Sequence, residues 1–480
     1  MIKSKTDLFP LHFNHHYFLR ILLMAILYFV SGHISFAISQ DESIITIVIF
    51  AAEGFALAAT LLFGRSMWLG VLIGQFVLAL SIGMEPLPSF IIATINAMEA
   101  VLGVILFYRF NLHKELTSIR DVVGLVLLII LVLQPFSALL GTLTLVLFTT
   151  LPWQEYFYAS FSWWFGNSMG QLLLTPLLLL FCYHKKSLNI KELLLVSFSS
   201  IGLYFLLHQI LGIEHIALLM MTTLLMTLLL AIYRGTYYAL FATLNLSIIA
   251  LYLTHITQHQ HTIQVGINSL IDLNFYILAH IILVLIIGTL FEVNERIKKQ
   301  LHSIANYDYL TGIPNRHLLD ESISNAMQYT DVTNHPSVVC FLDLDGFKEV
   351  NDRLGHGAGD DVLKEIVIRI QALIRQKDLL IRLGGDEFVL ILTGITSETA
   401  ITALLERILN AVRQPIGIGE QLVGVSLSIG VARYPKDGHS VEVLIEHADQ
   451  AMYRAKKEGK DRFVFFEALQ DADTKIIKKQ

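Results

Sequence analysis

The chain is poor in cysteine and poor in charge, and each shortage excludes a class of protein. Its two cysteines, Cys182 at the end of an apolar run and Cys340 in a polar half, lie in unlike contexts, so no disulfide framework holds it together. Asp, Glu, Lys and Arg make up 15% of its 480 residues, against about 25% in an ordinary soluble protein. That excludes a wholly soluble globular chain, and a hydrophobic share of 54% with a mean hydropathy of +0.62 excludes a disordered one. With 34 basic and 40 acidic residues the net charge is −6. There is no basic footprint for a nucleic-acid backbone, and no nucleic-acid partner is expected. The sequence also lacks a repeated half, or a matching pair of Gly/Pro-broken apolar segments, of the kind inverted-repeat transporters show.

What is present is unevenly divided. Fourteen of the 34 Lys and Arg fall in residues 1–300 and twenty in the last 180, so a membrane part precedes a polar part. Ten apolar runs long enough, or nearly so, to cross a bilayer can be read at 18–38, 44–63, 67–84, 89–108, 122–149, 157–181, 193–211, 215–233, 237–256 and 271–291. The links holding Arg65, Arg109 to Arg120, Lys185 to Lys191, and Arg234 carry the basic residues. The links between them, at 40–43, 85–86, 153–155, 212–214 and 255–272, have none. The positive-inside rule then puts the basic links and both termini in the cytoplasm, with ten spans or, if a short pair is lost, eight. The first run reads as a span and not a cleaved signal peptide, because it is long and lacks an Ala-x-Ala site.

Glu53 and Glu99 fall within these runs, where a carboxylate is either functional or a protonated or hydrogen-bonded packing residue. His33, His208 and His280 read as interhelical hydrogen-bonding groups ahead of ligand-binding ones, and His255, His259 and His261 as part of a polar link ahead of a metal site. Two stretches carry a family likeness: Gly54 to Arg65 followed by Trp68-Leu-Gly70, and Trp163-Trp164-Phe-Gly166-Asn167-Ser-Met-Gly170 followed by Pro176. Over residues 15–295 the chain resembles the bacterial membrane-embedded sensor domain MASE1. It departs from that pattern where Ala-Ala-Glu precedes Gly54 in place of a common Trp-Pro pair, and where Asn167 replaces a usual acidic residue. The resemblance implies a bilayer-embedded sensor for an unidentified ligand, with Glu53, Glu99, Trp163, Trp164 and Asn167 as sensor candidates.

Beyond the last run, Leu290, Val293, Ile297, Leu301 and Ile304 continue one apolar stripe at helical spacing. It suits a short parallel coiled coil with a second copy, or packing on its own domain.

Residues 300–480 alternate strand and helix patterns. Ser337 to Leu344 reads as a buried strand, 358–375 as an amphipathic helix, and Leu379 to Leu392 as a hairpin turning on Gly384-Gly385-Asp386-Glu387. Helices at 397–413 and 440–457, a strand at 422–434 and a short strand at 463–466 follow. Asp343 ends the first strand and Asp386 tips the hairpin, so on neighbouring strands the two can share hard divalent cations. The stretch around Asp343 does not have EF-hand spacing, and Gly355-His-Gly357-Ala-Gly359 lacks the strand and spacing of a dinucleotide loop.

Gly384-Gly385-Asp386-Glu387-Phe388 is similar to the signature of the GGDEF diguanylate cyclases. Around it, Asp308-Tyr-Leu310-Thr311-Gly312-Ile-Pro314-Asn315-Arg316 resembles the family's opening motif. The segment from Asp343 through Asn351 and Gly355-His356 to Gly359-Asp360 resembles its substrate segment. Ser428-Ile429-Gly430 and Ala448-Asp449-x-Ala451-x-Tyr453-x-Ala455-Lys456 resemble its later motifs.

The resemblance implies condensation of two GTP into cyclic di-3′,5′-GMP with loss of two pyrophosphates, by two domains facing one another as a homodimer. It implies Mg²⁺ or Mn²⁺, two per GTP, held by Asp343, the backbone carbonyl of Leu344, and Asp386. Asp386 takes the 3′-hydroxyl proton, with Glu387 beside it. Backbone N–H groups of Gly346 and Phe347, with Lys348 and Lys456, hold the phosphates, and Asn351 and Asp360 read the guanine edge. Lys460 stands where Arg is usual. Arg375 and Asp378 match the family's inhibitory site for cyclic di-GMP. The alternative is a catalytically idle domain that binds GTP or cyclic di-GMP and signals by contact.

The expected fold is a multi-pass α-helical membrane bundle followed by a cytoplasmic α/β domain with a central, mostly antiparallel sheet of the nucleotidyl-cyclase, palm-like kind. The expected divisions are 1–292 for the membrane sensor, 293–306 for the connecting helix, 307–467 for the GGDEF domain and 468–480 for a polar tail. The expected location is the bacterial inner membrane.

Overall fold

A computed structural model describes residues 15–38, 49–184, 189–211, 216–260, 267–395 and 397–467. The links read at 40–43, 185–188 and 212–214 lie outside them, as do His261 and the side chains of His208, His255 and His259. The chain divides into two compact units, Met1–Arg296 and Ile297–Gln480.

The first unit is helical: α1 (His15–Ile38), α2 (Ala51–Phe63), α3 (Trp68–Ser81), α4 (Pro86–Arg109), α5 (Ile119–Leu128), α6 (Gln134–Phe148), α7 (Tyr156–His184), α8 (Ile190–Leu211), α9 (Ile216–Arg234) and α10 (Thr236–Gln260). The next helix, α11 (Ile267–Asn306), runs unbroken across the division between the units. Among the described residues six helical stretches are long and apolar enough to cross a membrane, and four more are apolar but shorter.

A π-helical turn at Ile129–Leu133 joins α5 to α6. Pro135 has no N–H to give back to that turn, and the Trp164 indole donates to the Ile130 carbonyl at 2.8 Å instead. Apolar helices in lipid gain little from hiding from water, so close packing of small residues must hold them. Gly54 on α2 and Gly170 on α7 meet that need. A Cβ on Gly54 would lie 2.3 Å from the Gly170 carbonyl oxygen, and one on Gly170 would lie 2.0 Å from that of Phe50.

The second unit is built on a five-stranded sheet in the order β2-β3-β1-β6-β7. Its strands are β1 (Ser337–Asp345), β2 (Leu379–Gly384), β3 (Glu387–Thr393), β6 (Ser426–Tyr434) and β7 (Arg462–Phe465). All neighbours are antiparallel except β6 and β7, which are parallel. Period-two alternation along β1 sorts its side chains between two cores. Val338, Cys340, Leu342 and Leu344 face one with α14 (His356–Gln371) and α15 (Glu398–Val412). Val339 and Phe341 face the other with α12 (Leu319–Thr333) and α16 (Val441–Lys457).

Gly430 on β6 explains one motif physically. A Cβ there would lie 1.9 Å from the Ala448 carbonyl oxygen, so only glycine lets α16 seat its small Ala448 and Ala451 on the sheet. The strand expected at 422–434 is two strands. Gly424 interrupts it, and β5 (Gln421–Val423) turns back on β4 (Ile416–Ile418) as a separate two-stranded ribbon. The helices α12 and α13 (Phe347–Leu354) were not anticipated in the sequence.

Candidate active site

The hairpin tip and the end of β1 meet as the sequence suggested. In the β1–β3 register Asp343 stands opposite Glu387, and Leu344 N–H donates to the Asp386 carbonyl oxygen at 3.2 Å. This second bond carries the pairing one step beyond the strand and fixes the turn that presents Asp386. Asp343 is buried, Asp386 half-buried and Glu387 exposed.

A buried carboxylate needs a partner, and Lys456 on α16 supplies it, with Nζ 2.7 Å from Asp343 Oδ2. The lysine expected at the phosphates thus pairs with a carboxylate expected at the metal. Burial lifts the Asp343 carboxyl above its ordinary value. Lys456 holds part of that rise back, and the charges of Asp386 and Asp345 add to it. Burial also lifts Glu387, with Asp343, Asp386 and then Asp449 repelling its ionised form. Asp449, quoted above only as part of a motif, therefore belongs to the same negative field.

From β1 the chain passes through Gly346, at φ +83°, into α13. That left-handed step, which glycine adopts without a Cβ clash, starts the helix at Phe347, so the first N–H groups of α13 lie at the end of β1. Lys348 is exposed on the first turn, and Asn351 follows one turn along the helix from Phe347. A Cβ on Gly359 would lie 2.0 Å from Asn351 Oδ1. That glycine lets Asn351 lie against α14 beside Asp360.

Two residues without an assigned role hold these parts in place. Asp345 is buried at the end of β1 and accepts from Ser428 Oγ at 2.9 Å, from Ser426 Oγ at 3.1 Å and from the backbone N–H of Asp461 at 3.3 Å. It therefore ties the α16–β7 turn, with the exposed Lys460 at φ +62°, to the strand that carries Asp343. Arg382 donates through Nη1 to Asp308 Oδ1 at 2.9 Å and through Nε and Nη2 to the Gly385 carbonyl oxygen at 3.2 and 2.8 Å. Asp308 also accepts from Thr311 N–H and Oγ1 at 2.9 and 2.6 Å. Burial alone would raise the Asp308 carboxyl, but Thr311 and Arg382 outweigh it and leave it below its ordinary value.

Arg375 and Asp378 do not form the side-chain ion pair that a helix-end arrangement suggests. Asp378 is buried, and its two oxygens accept the backbone N–H groups of Arg375 at 3.0 Å and Thr393 at 3.3 Å, while the Arg375 side chain is exposed.

In the first unit the candidate carboxylates are buried and bonded. Glu53 Oε1 accepts from the Tyr28 hydroxyl and from Asn96 Nδ2 at 2.8 Å. Glu99 Oε1 accepts from Gln134 Nε2 at 2.7 Å and Gln171 Nε2 at 2.8 Å. Asn96 and Glu99 lie one turn apart on α4, so that helix carries two polar clusters, one shared with α1 and α2 and the other with α6 and α7. Trp164 holds the π-turn carbonyl described above, whereas Trp163 Nε1 and Asn167 Nδ2 have no hydrogen-bond partner. His280 meets Thr227 Oγ1 at 2.5 Å, the interhelical role expected of it, while His33 is exposed beside the Phe29 ring.

Comparison with known proteins agrees with both halves. The family model described as "Diguanylate cyclase, GGDEF domain" matches residues 305–462, and the MASE1 model matches residues 18–295. Similar curated proteins include two from Pseudomonas aeruginosa. One is the bifunctional diguanylate cyclase/cyclic di-GMP phosphodiesterase MucR, 42% identical over 178 residues, 37% of this chain and 26% of MucR. The other is the diguanylate cyclase TpbB, 39% identical over 157 residues, 32% of this chain and 36% of TpbB. The chain thus spans about a quarter to a third of the length of these relatives.

Among solved structures, the GGDEF domain of TpbB is 37% identical, covering 32% of this chain and 97% of that one at a TM-score of 0.32. The coiled coil and GGDEF domain of DgcB from Caulobacter crescentus, in complex with c-di-GMP, is 26% identical, covering 36% and 93% at a TM-score of 0.34. With its first 300 residues matched almost throughout, the chain belongs to the MASE1 family of membrane domains, here continued into a GGDEF domain.

Proposed function

We propose that the chain is a membrane-bound diguanylate cyclase, condensing two GTP into cyclic di-3′,5′-GMP and two pyrophosphates under control of a signal received in the MASE1 unit. The observation that carries this is the register of β1 on β3. It puts Asp343 opposite Glu387 at the strand end from which Gly346 leads into α13. Acidic oxygens for a cation and free N–H groups for phosphate thus occupy the same few residues of chain.

The donor set fits a hard divalent cation. Asp343, Asp386 and the Leu344 carbonyl are oxygen donors, and mutual repulsion among Asp343, Asp386, Glu387 and Asp449 leaves negative charge that the paired Lys456 offsets only in part. Among the described residues no three His, Cys, Asp or Glu side chains are placed to hold a metal unaided. Substrate oxygens complete the shell, as Mg²⁺ favours. Mg²⁺, or Mn²⁺ in its place at two per GTP, neutralises the triphosphate when bound.

The protein's own groups do the rest. Asp386 accepts the proton of the 3′-hydroxyl, which attacks the α-phosphate of the GTP on the facing domain, and pyrophosphate leaves. Glu387 adds its charge to the cation site. Gly346 and Phe347 N–H groups, Lys348, Lys460 and Lys456 hold the phosphates, Lys456 exchanging its bond to Asp343 for one to the nucleotide. Asn351 and Asp360 select guanine through its N1–H and 2-amino edge.

Each domain carries one GTP, so turnover needs a homodimer, brought together by the stripe on α11. Product binds at the exposed Arg375 and feeds back on the dimer, with Asp378 holding the turn that presents it. We assign the divisions 1–292, 293–306, 307–467 and 468–480 to sensor, connecting helix, cyclase and tail. We place the bundle in the bacterial inner membrane with eight to ten spans and both termini in the cytoplasm.

The test is the full chain in lipid nanodiscs with GTP and Mg²⁺. Pyrophosphate and a cyclic dinucleotide are expected at two to one, and none from Asp386→Ala. A wild-type chain that binds GTP and releases neither product overturns the proposal.

A further inference from the structure

A cavity of about 80 Å³ lies inside the first unit, among the C-terminal ends of α1 and α3 and the N-terminal halves of α4 and α7. Six polar side chains line it: Ser35, Gln75, Asn96, Ser162, Trp163 and Asn167. Gln75, Asn96, Ser162 and Asn167 are 8%, 1%, 0% and 5% exposed. Yet Gln75 Oε1, Asn96 Oδ1, Ser162 Oγ, Trp163 Nε1 and Asn167 Nδ2 each lack a hydrogen-bond partner. Buried polar atoms are nearly always paired, and each exception calls for a cause. Here five exceptions surround one space.

Their chemistry is specific. The Asn96 amide is oriented by its own donations, from Nδ2 to Glu53 Oε1 at 2.8 Å and to the Tyr28 hydroxyl oxygen at 3.0 Å, so its unpaired atom is an acceptor. The Trp163 indole N–H can only donate. Donors therefore come from Trp163, Asn167 and Ser162, and acceptors from Asn96 and Gln75. Ser35 is already paired, its Oγ donating to the Ser31 carbonyl oxygen at 2.9 Å and accepting from Ala51 N–H at 3.2 Å; the rest of the wall is apolar, chiefly Phe50, Leu78 and Ile92, and among the described residues lining the cavity none is charged. A charged ligand would enter without a counter-charge. A purely apolar one would leave all five groups unpaired.

We propose that this cavity is the ligand site of the MASE1 unit, and that it takes a neutral, compact molecule bearing a hydrogen-bond acceptor beside a donor, of the amide or lactam class. A water needs about 10–15 Å³ of such space, so the cavity admits a body of about six heavy atoms. It lies toward the bundle end away from Arg20, Arg65 and Arg109, which under the positive-inside reading is the non-cytoplasmic side. Asn96 joins it to Glu53 and Tyr28, so occupancy acts directly on the polar cluster that ties α4 to α1 and α2.

The inference rests on reading the membrane unit as a sensor, and its test reads binding and not turnover, so an inactive cyclase and an unliganded cavity give different results. The full chain in nanodiscs is titrated with 2-pyrrolidone, with cyclopentane as the apolar match and pyrrolidinium as the charged one, by saturation-transfer NMR. Saturable binding of 2-pyrrolidone alone is expected. It should weaken by about fivefold in Trp163→Phe, the loss of one hydrogen bond's net contribution, and again in Ser162→Ala, with both variants melting at the wild-type temperature. Binding of the three probes alike, no saturable binding of 2-pyrrolidone, or equal affinity in well-folded Trp163→Phe would each overturn the proposal and leave a water-filled space.

Discussion

Arg382 grips Asp308 with one nitrogen and the Gly385 carbonyl with the other two. The first residues after α11 are thereby fixed to the turn that carries Asp386, and the link is backbone-directed at the Gly385 end.

Arg382→Ala should therefore damage both stability and turnover. The pair is largely buried, at 10% and 16% side-chain exposure, and removing one partner of such a pair costs about 3 kcal/mol. Denaturant unfolding of the full chain in detergent should show that loss, and cyclase rate should fall at least tenfold at temperatures where the variant is folded. Asp308→Asn keeps an acceptor and should do less of both. Normal turnover in a folded Arg382→Ala chain would separate the grip from catalysis.

The acidic cluster predicts a pH dependence with a definite sign. Burial, with repulsion among the carboxylates, raises Asp343 and Glu387 despite the pull of Lys456. A carboxyl whose pKa is higher folded than unfolded contributes stability below the ordinary carboxylate range and loses it as pH rises through the folded value. The melting temperature of Asp343→Asn relative to wild type should then climb as pH rises out of the ordinary carboxylate range, without nucleotide. Over the same window, wild-type affinity for Mg²⁺–GTP should climb as well. A relative melting temperature that falls toward neutrality would reverse the assignment.

Arg375 and Asp378 should part company on mutation. Asp378→Ala leaves two backbone N–H groups unpaired, each at about 1–3 kcal/mol if buried, and thermal melts should register it. Arg375→Ala touches an exposed side chain and should melt like wild type while its progress curve stays linear as product accumulates. An unchanged, product-slowed curve would take Arg375 out of the feedback site.

Gly430→Val should be among the most damaging substitutions in the second unit, because its side chain would enter the backbone of α16 at Ala448. Overpacking of this kind costs about 1–3 kcal/mol and sometimes more. The shift of α16 also carries Lys456 away from Asp343, so GTP affinity should drop with stability.

The sequence announced the elements of the candidate site more readily than their partners. Strand β1 and the Gly384-Gly385 turn were legible because alternation and turn chemistry are local, and the approach of Asp343 to Asp386 was expected on the condition that their strands are neighbours; the register of Asp343 opposite Glu387 was not. Arg382 was not singled out and Asp345 was given no role, because their partners lie 74 and 83 residues away in Asp308 and Ser428. A charged residue inside a strand gives no sign of what it will reach. Lys456 was placed with phosphates by resemblance, but burial of Asp343 gives it a nearer partner. In the membrane unit Glu53 and Glu99 stood out by rarity alone. Asn96, 43 residues from Glu53, carried no signal until the helices were packed, and neither did the cavity it lines.

In the proposed homodimer, the stripe on α11 sets how strongly two chains must attract. Leu290, Ile297, Leu301 and Ile304 are 48%, 46%, 60% and 76% exposed, and so short a seam would hold two freely diffusing helices only weakly. Chains inserted in one bilayer share a plane and a direction, so most of the translational and rotational freedom that pairing removes in solution is already gone. Their effective concentration is set by how many lie in the membrane and not by the volume of the cell. A weak seam on an anchored helix can thus keep association reversible, answering to expression level as well as to ligand.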